Sequence, residues 1–192
     1  MPNNEKQLAE RAAKRDRAAF AKLYDLYVDK IYRYIYYKSG RTDEAEDLTA
    51  QVFMKAWEAV PNYHWEGYPF STWLYRIAHN QIIDHYRTQR ETVPLDVART
   101  RESTSDPVES AERSFTSARI QAALKHLTQD QQRVVVLRFL EGYSTGEVAA
   151  IMDKDPDAIR ALQHRALRAL QPWMSDEKEL RQVQPARVPA TA

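Results

Sequence analysis

Residues Ser144–Leu170 read STGEVAAIMDKDPDAIRALQHRALRAL, and they carry two helix starts and one turn. Ser144 stands three residues before Glu147. That is the spacing of a capping box: the hydroxyl takes a free amide N–H, and the carboxylate reaches back to the cap's own N–H. Apolar Val148, Ala149, Ile151 and Met152 follow, and Asp153-Lys154-Asp155 breaks the run. Asp155 is a good N-cap, and Pro156 fits the first helical position, where its missing N–H costs nothing. A second helix is expected from there to about Leu170. Two helices joined by so short a turn form a helix-turn-helix. Many such turns contain glycine. This one has none, so its residues have to bend without it.

The second helix sorts its chemistry by face. At helical spacing Ile159, Leu162, Ala166 and Leu170 share one stripe, flanked by Gln163, Leu167 and Ala169. Asp157, Arg160, Ala161, His164, Arg165 and Arg168 occupy the opposite face. Such a helix docks by its apolar side and can lay its basic side in a major groove. An isolated basic helix is more often a solvated face. A short capped helix, a tight turn and one-sided charge together favour DNA.

The chain has 192 residues, with 28 Lys and Arg against 27 Asp and Glu, so net charge alone says nothing about nucleic acid. It contains no cysteine, which excludes disulfides and thiolate metal sites and fits a reducing compartment. The charged start MPNNEKQLAERAAKRDRAAF has no apolar core, so no signal peptide is expected, and no apolar run approaches a membrane span. Glycines are few, and Ala, Leu, Gln, Glu and Arg dominate. The composition predicts an all-α protein.

Taken in order, Asn4 to about Lys14 predicts a short helix, polar on most sides. Asp16 can cap a helix to about Lys38, with Phe20, Leu23, Tyr24, Tyr27, Ile31, Tyr34 and Ile35 at helical spacing; tyrosines so placed are core and rim rather than a cofactor box. Ser39-Gly40 ends it. Thr42 or Asp43 is the expected cap of a third helix, Glu44 to Val60. Its apolar stripe is Ala45, Leu48, Val52, Phe53, Ala56 and Trp57, and its other face holds Asp43, Glu46, Asp47, Gln51, Lys55 and Glu58. Pro61 stops that helix. The loop NYHWEGYPF, residues 62–70, carries Tyr63, His64, Trp65, Tyr68 and Phe70, rings that can stack on unpaired bases or fold back onto the core. Ser71 is the expected cap of a helix to about Arg87. Leu74, Ala78 and Ile82 form its buried side, with Tyr75 and Tyr86 beside them. Arg76, Asn80, Asp84 and Arg87 share an opposite stripe, of residue types that pair with base edges and phosphates.

Residues 88–115 show no sustained period and predict an acidic linker, with Pro94 and Pro107 in it. From Thr116 a helical pattern resumes with Ile120, Ala123, Leu124 and Leu127. Thr128 with Gln131 is a second capping box, and Val134, Val135, Leu137, Arg138 and Leu140 carry a helix to Gly142. After Trp173 the chain turns polar, and a disordered tail is expected. Neither the histidines nor the acidic residues make a catalytic or metal-binding constellation, and no phosphate-binding glycine loop is present. The acidic run Asp43, Glu44, Glu46 and Asp47 is explained by a cap and a charged first turn. No metal, no cofactor and no catalytic residue is expected. The fold class is all-α: two small helical domains joined by a flexible linker, the second containing the helix-turn-helix.

Four stretches in this order resemble a known family: FAKLYDLYVDKIYRYIYY, DEAEDLTAQVFMKAW, FSTWLYRIAHNQIIDHYR and VVVLRFLEGYSTGEVAAIMDKDPDAIRALQHRALRAL. The chain resembles the extracytoplasmic-function (ECF) sigma factors of bacterial RNA polymerase. The resemblance implies a cytoplasmic promoter-specificity subunit, not an enzyme, which binds core RNA polymerase and directs initiation at a particular set of promoters. It implies a region 2-like domain over residues 1–90, a linker over 91–115, a region 4-like domain over 116–173 and a tail over 174–192.

The resemblance also assigns roles. Asp47, Leu48, Gln51, Val52, Phe53 and Lys55 would dock on the coiled coil of the polymerase beta-prime subunit. Tyr63, Trp65, Phe70, Trp73, Arg76, Asn80, Asp84 and Arg87 would read and melt the minus-ten element. Asp157, Arg160, Ala161, His164, Arg165 and Arg168 would read the minus-thirty-five element, with that domain resting on the beta flap. Promoter DNA and core polymerase are the implied partners, with an anti-sigma factor as a regulator and no membrane. In place of the family's Gly-Thr-Val-Lys-type opening, the recognition helix begins Asp157-Ala158-Ile159-Arg160, which leaves the upstream sequence preference open. The competing readings are a helix-turn-helix repressor or activator acting alone, which has no need of the acidic-then-apolar helix 43–57, and a sigma mimic, which has no need of the DNA-facing stripes.

Overall fold

The computed structural model describes residues 2–92 and 118–180. The first half holds four helices: α1 (Pro2–Ala13), α2 (Arg17–Ser39), α3 (Thr42–Ala59) and α4 (Phe70–Thr92), with a single 3-10 turn at Val60–Asn62 after α3. The second half holds α5 (118–124), α6 (Gln129–Val135), a π-helical turn at Val136–Leu140, α7 (Thr145–Met152) and α8 (Pro156–Leu180). No strand occurs among the described residues. Most of the expected linker, and the chain beyond Leu180, lie outside the described residues.

The helices begin and end for local reasons. The Asp16 side chain accepts the Ala19 N–H, and Gly40 closes α2 in the left-handed conformation at φ 75°. Both capping boxes form, Thr128 with Gln131 and Ser144 with Glu147. The three consecutive valines at 134–136 are buried helix rather than strand. Gly142, at φ 79°, lets Tyr143 N–H return to the Leu137 carbonyl at 2.9 Å, which ends the π turn.

Some starts and ends differ from the sequence reading. The cap of α3 is Arg41, whose side chain makes no cap bond, in place of Thr42 or Asp43. Ser71 lies inside α4, fully buried, because that helix opens at Phe70, two residues ahead of the start that a Ser71 cap implies. At its other end α4 runs through Thr92, into the expected linker. Helix α8 continues through Pro172 to Leu180, past the expected end near Leu170 and into the expected tail. Beyond that proline, Trp173 stacks on His126 at 3.9 Å, a tertiary contact that supports the extra turns.

In the first half α2 packs on α1 and α3, and α4 packs on α3. Leu23, Ile31, Ile35, Leu48, Val52, Leu74 and Ile82 are buried between them. Each such side chain contributes about 1.5–3 kcal/mol on leaving water. Although α1 is polar over much of its surface, it adds Leu8, Ala9 and Ala12 to this core. In the second half α8 packs on α6 and α7 through Ile159 and Ala166.

The halves then pack on each other, α4 against α7 and α2 against the π turn. The Arg33 guanidinium pairs with Glu141 through two bonds of 3.0 and 2.8 Å. Arg76 donates to the Ala150 carbonyl at 3.0 and 2.6 Å, and the Tyr75 and Tyr143 rings meet edge to face at 5.3 Å.

Candidate polymerase and promoter interfaces

Helix α3 presents Asp47, Gln51 and Lys55 to solvent. Leu48, Val52 and Phe53 point the other way, into the core, so half of the expected polymerase-binding set supports the helix from beneath instead of forming its outer surface. Lys55 is also engaged, donating to the Gln81 side chain of α4. The face has an apolar member that the sequence reading missed. Met54 follows Asp47 and Gln51 at helical spacing and is 65% exposed. Tyr24, also exposed, borders the same helix, its ring edge to face with Phe53 at 4.7 Å. The signal for Met54 was its place off the apolar stripe. A flexible thioether left in water on a helix face suits a protein partner.

After the 3-10 turn, the loop and the start of α4 enclose a cavity of about 180 Å³. Asn62, Tyr63, Tyr68, Thr72, Trp73 and Arg76 are among the residues lining it. Tyr63 and Trp73 lie 5.2 Å apart, and Phe70 sits behind both, at 5.0 and 5.2 Å. Phe70 is fully buried, so it backs the other rings and offers no face to a base, contrary to its place in the expected DNA set. Trp65 is partly buried against the core and does not line the cavity. Burial, with the charges of Glu5 and Glu66 nearby, pushes the Tyr63 phenol up, so it keeps its proton.

The stripe on α4 divides in two. Arg76 and Asn80 lie at the cavity end, where Asn80 is exposed and Arg76 is held by Ala150. Asp84 and Arg87 pair with each other at 3.2 Å farther along. His79, between the stripe and the second half, is held down to about 4, by burial first and then by the charges of Arg133 and Lys38.

In the helix-turn-helix, Asp153 takes the left-handed conformation, φ 52° and ψ 51°, that glycine often supplies, and this closes α7. Asp is among the few side-chain-bearing residues that tolerate it. The Asp155 carboxylate accepts the Asp157 N–H at 2.7 Å, the cap read from sequence. All six residues of the expected recognition face, Asp157, Arg160, Ala161, His164, Arg165 and Arg168, are exposed. Arg160 pairs with Asp157, and Arg165 donates to the Ala161 carbonyl at 3.3 Å. Arg138, from the π turn, braces the motif by donating to the Tyr143 carbonyl and to Gln163.

Among the described residues no group of three or more His, Asp or Glu is placed to hold a metal ion, and no helix is long and apolar enough to cross a membrane.

Residues 23–92 match the Sigma-70 region 2 family and residues 117–170 the Sigma-70, region 4 family. The ECF RNA polymerase sigma factor SigW of Bacillus subtilis is 32% identical over 185 residues, covering 89% of this chain and 97% of SigW. The chain belongs to the ECF sigma factors.

Another relative of this sigma factor is BldN of Streptomyces coelicolor, 37% identical over 174 residues; the match covers 89% of this chain and 66% of BldN. The fold agrees with solved structures. CnrH, solved in complex with the cytosolic domain of CnrY, superposes with a TM-score of 0.72 at 22% identity, over 90% of this chain and 98% of that one. RpoE of Bartonella quintana, solved with the anti-sigma factor NepR, gives 0.67 at 24% identity, over 81% and 96%. Sigma factors are specificity subunits of RNA polymerase and not enzymes, and region 2 and region 4 are their parts that meet core polymerase and promoter DNA.

Proposed function

We propose that this sigma factor grips core RNA polymerase by the outer face of α3, opens and reads the minus-ten element with the 63–69 loop and α4, and reads the minus-thirty-five element with α8. Asp47, Gln51 and Met54 form the gripping face. Tyr63 and Trp73 take an unpaired base, with Asn80 beside them and Arg76 on the approaching strand. Arg160 and His164 meet base edges, and Arg165 and Arg168 meet phosphates. The beta-prime coiled coil is the partner of α3, and the beta flap that of the second half. The protein works in the bacterial cytoplasm, and an anti-sigma factor acts by covering the same faces.

The observation that carries this reading is the ring-walled cavity at the root of the Arg76–Asn80 stripe. Unpaired bases bind by stacking on aromatic rings, and each such stack is worth roughly 1–3 kcal/mol. A repressor that binds closed duplex needs no such cavity, and the exposed acidic and thioether face of α3 offers nothing to DNA. Because the Ala150 carbonyl holds Arg76 in the closed arrangement, the halves have to part before Arg76 reaches a strand.

Run-off transcription with core polymerase on a genomic promoter library tests the function and identifies both elements. Asn80→Ala is expected to impair promoter opening, followed by permanganate footprinting, more than polymerase binding. Specific transcripts absent with the intact chain, or normal opening by the Asn80 variant across minus-ten variants, would sink the assignment.

A further inference from the structure

We infer that Glu5 of α1 is a positioning residue for the base-accepting cavity, fixing the start of α4 and through it the rings that wall the cavity. The inference rests on the minus-ten reading proposed above. It concerns a helix that lies ahead of residues 23–92, the part matched by Sigma-70 region 2.

The start of α4 has an exposed, irregular loop before it, yet its first residue is fully buried. The N–H of Phe70 therefore needs an acceptor. It donates to Glu5 Oε1 at 2.6 Å, and the Tyr27 hydroxyl donates to the same oxygen at 2.5 Å. A carboxylate at this end of a helix also meets the positive end of the helix dipole. Burial, then Glu5 itself, pushes the Tyr27 phenol up, so its hydroxyl remains a donor. Leu8, Ala9 and Ala12 seat α1 against the core and hold the carboxylate in place.

From that anchor to the cavity is one side chain. The Phe70 ring lies 5.0 Å from Tyr63 and 5.2 Å from Trp73, and both of those rings line the cavity. A shift of the Phe70 backbone moves the wall on both sides. Stacking depends on ring placement, so Glu5 acts on base binding without touching a base.

The test uses the full chain bound to core polymerase, with fluorescent single-stranded minus-ten oligonucleotides substituted one base at a time. Glu5→Ala is expected to weaken binding of the preferred oligonucleotide roughly five- to tenfold, about what loss of one helix cap is worth. It should also flatten the preference at the base the cavity accepts, with affinity for core polymerase unchanged. Glu5→Gln keeps an acceptor oxygen and should retain most of the preference. Tyr27→Phe removes one of the two bonds and serves if Glu5→Ala does not fold. Ile35→Ala opens a cavity in the same core without touching α1 or its carboxylate, and should keep the wild-type preference. A Glu5→Ala protein that discriminates bases like the intact chain overturns the inference. So does an Ile35→Ala protein that loses discrimination equally at a matched loss of melting temperature, because the carboxylate is then only structural. Trp73→Ala separates this inference from the reading beneath it. If that variant loses base preference and Glu5→Ala does not, Glu5 alone is misassigned; if neither loses it, the cavity is not the base reader and both assignments fall.

Discussion

Arg33 of α2 and Glu141, at the end of the π turn, form a two-bond ion pair between the halves of the molecule, at 3.0 and 2.8 Å. The Glu141 side chain is only 1% exposed, whereas that of Arg33 is 45% exposed. Removing the cation leaves without its partner a carboxylate that the pair shields from water, which costs more than losing a surface pair.

Arg33→Ala is therefore expected to weaken packing between the halves by about 1–3 kcal/mol, a value discounted from the fully buried case because the arginine is partly solvated. Arg33→Glu should part them further, and the double swap Arg33→Glu with Glu141→Arg should recover part of the loss. Energy transfer between labels on α2 and α6, or the radius of gyration from solution scattering, reads this out. Equal compactness in all four proteins would refute it.

A pH dependence follows from His79, which faces Arg133 and Lys38, with Asp130 the nearby opposing charge. Its folded-state value of about 4 lies below the ordinary 6.5. Between those values the unfolded chain binds a proton that the folded one refuses, so stability is full above the upper value and falls as pH drops through the window. His79→Gln should flatten that part of the profile. Urea midpoints measured across the window check it, and an unchanged slope would place the acid sensitivity elsewhere.

The outer face of α3 gives a third prediction. Charge reversal at Asp47 together with Gln51→Lys should abolish retention on core polymerase while stability stays within about 0.5 kcal/mol per site. Met54→Ala should weaken retention less, since it removes apolar contact and adds no repulsion. A pull-down with core enzyme, alongside circular dichroism, decides between this and an inert face. Full retention of both proteins would mean that the polymerase grips another surface.

What was legible in the sequence was mostly local. Capping boxes at Thr128 and Ser144, the Asp155 cap and the Gly40 and Gly142 stops all act within a few residues, and all formed. The exposed basic face of α8 was legible because it is a periodicity. The start of α4 was not, because its N–H is satisfied by Glu5, 65 residues away in sequence. Nor was the pairing of Arg33 with Glu141 across 108 residues, since each charge alone reads as a solvated surface. The turn without glycine is explained by Asp153 in the left-handed region, a tolerance of aspartate that spacing cannot announce. Among the rings of residues 62–70 the sequence does not say which face solvent and which fold back, and only tertiary packing shows that Phe70 supports Tyr63 and Trp73 from behind.

The last prediction concerns α8. Arg160 and His164 lie one turn apart near its start, the part of a recognition helix that reaches base edges. Arg168 lies farther along, where phosphates are the expected partners. Arg160→Ala should lose discrimination at one upstream base pair, by about 1–3 kcal/mol for a bidentate contact. Because Arg160 pairs with Asp157 in the free protein, its guanidinium has to leave that carboxylate to reach a base. Asp157→Ala should therefore raise affinity most for sequences that carry the base pair Arg160 reads. Arg168→Ala should weaken binding about equally on every sequence and reduce the salt dependence, since it removes one phosphate contact with its released counterion. Binding across single-base variants at several salt concentrations separates these outcomes. A uniform loss from both Arg160→Ala and Arg168→Ala would mean that the basic face grips the backbone alone, and that the upstream element is chosen by something other than this helix.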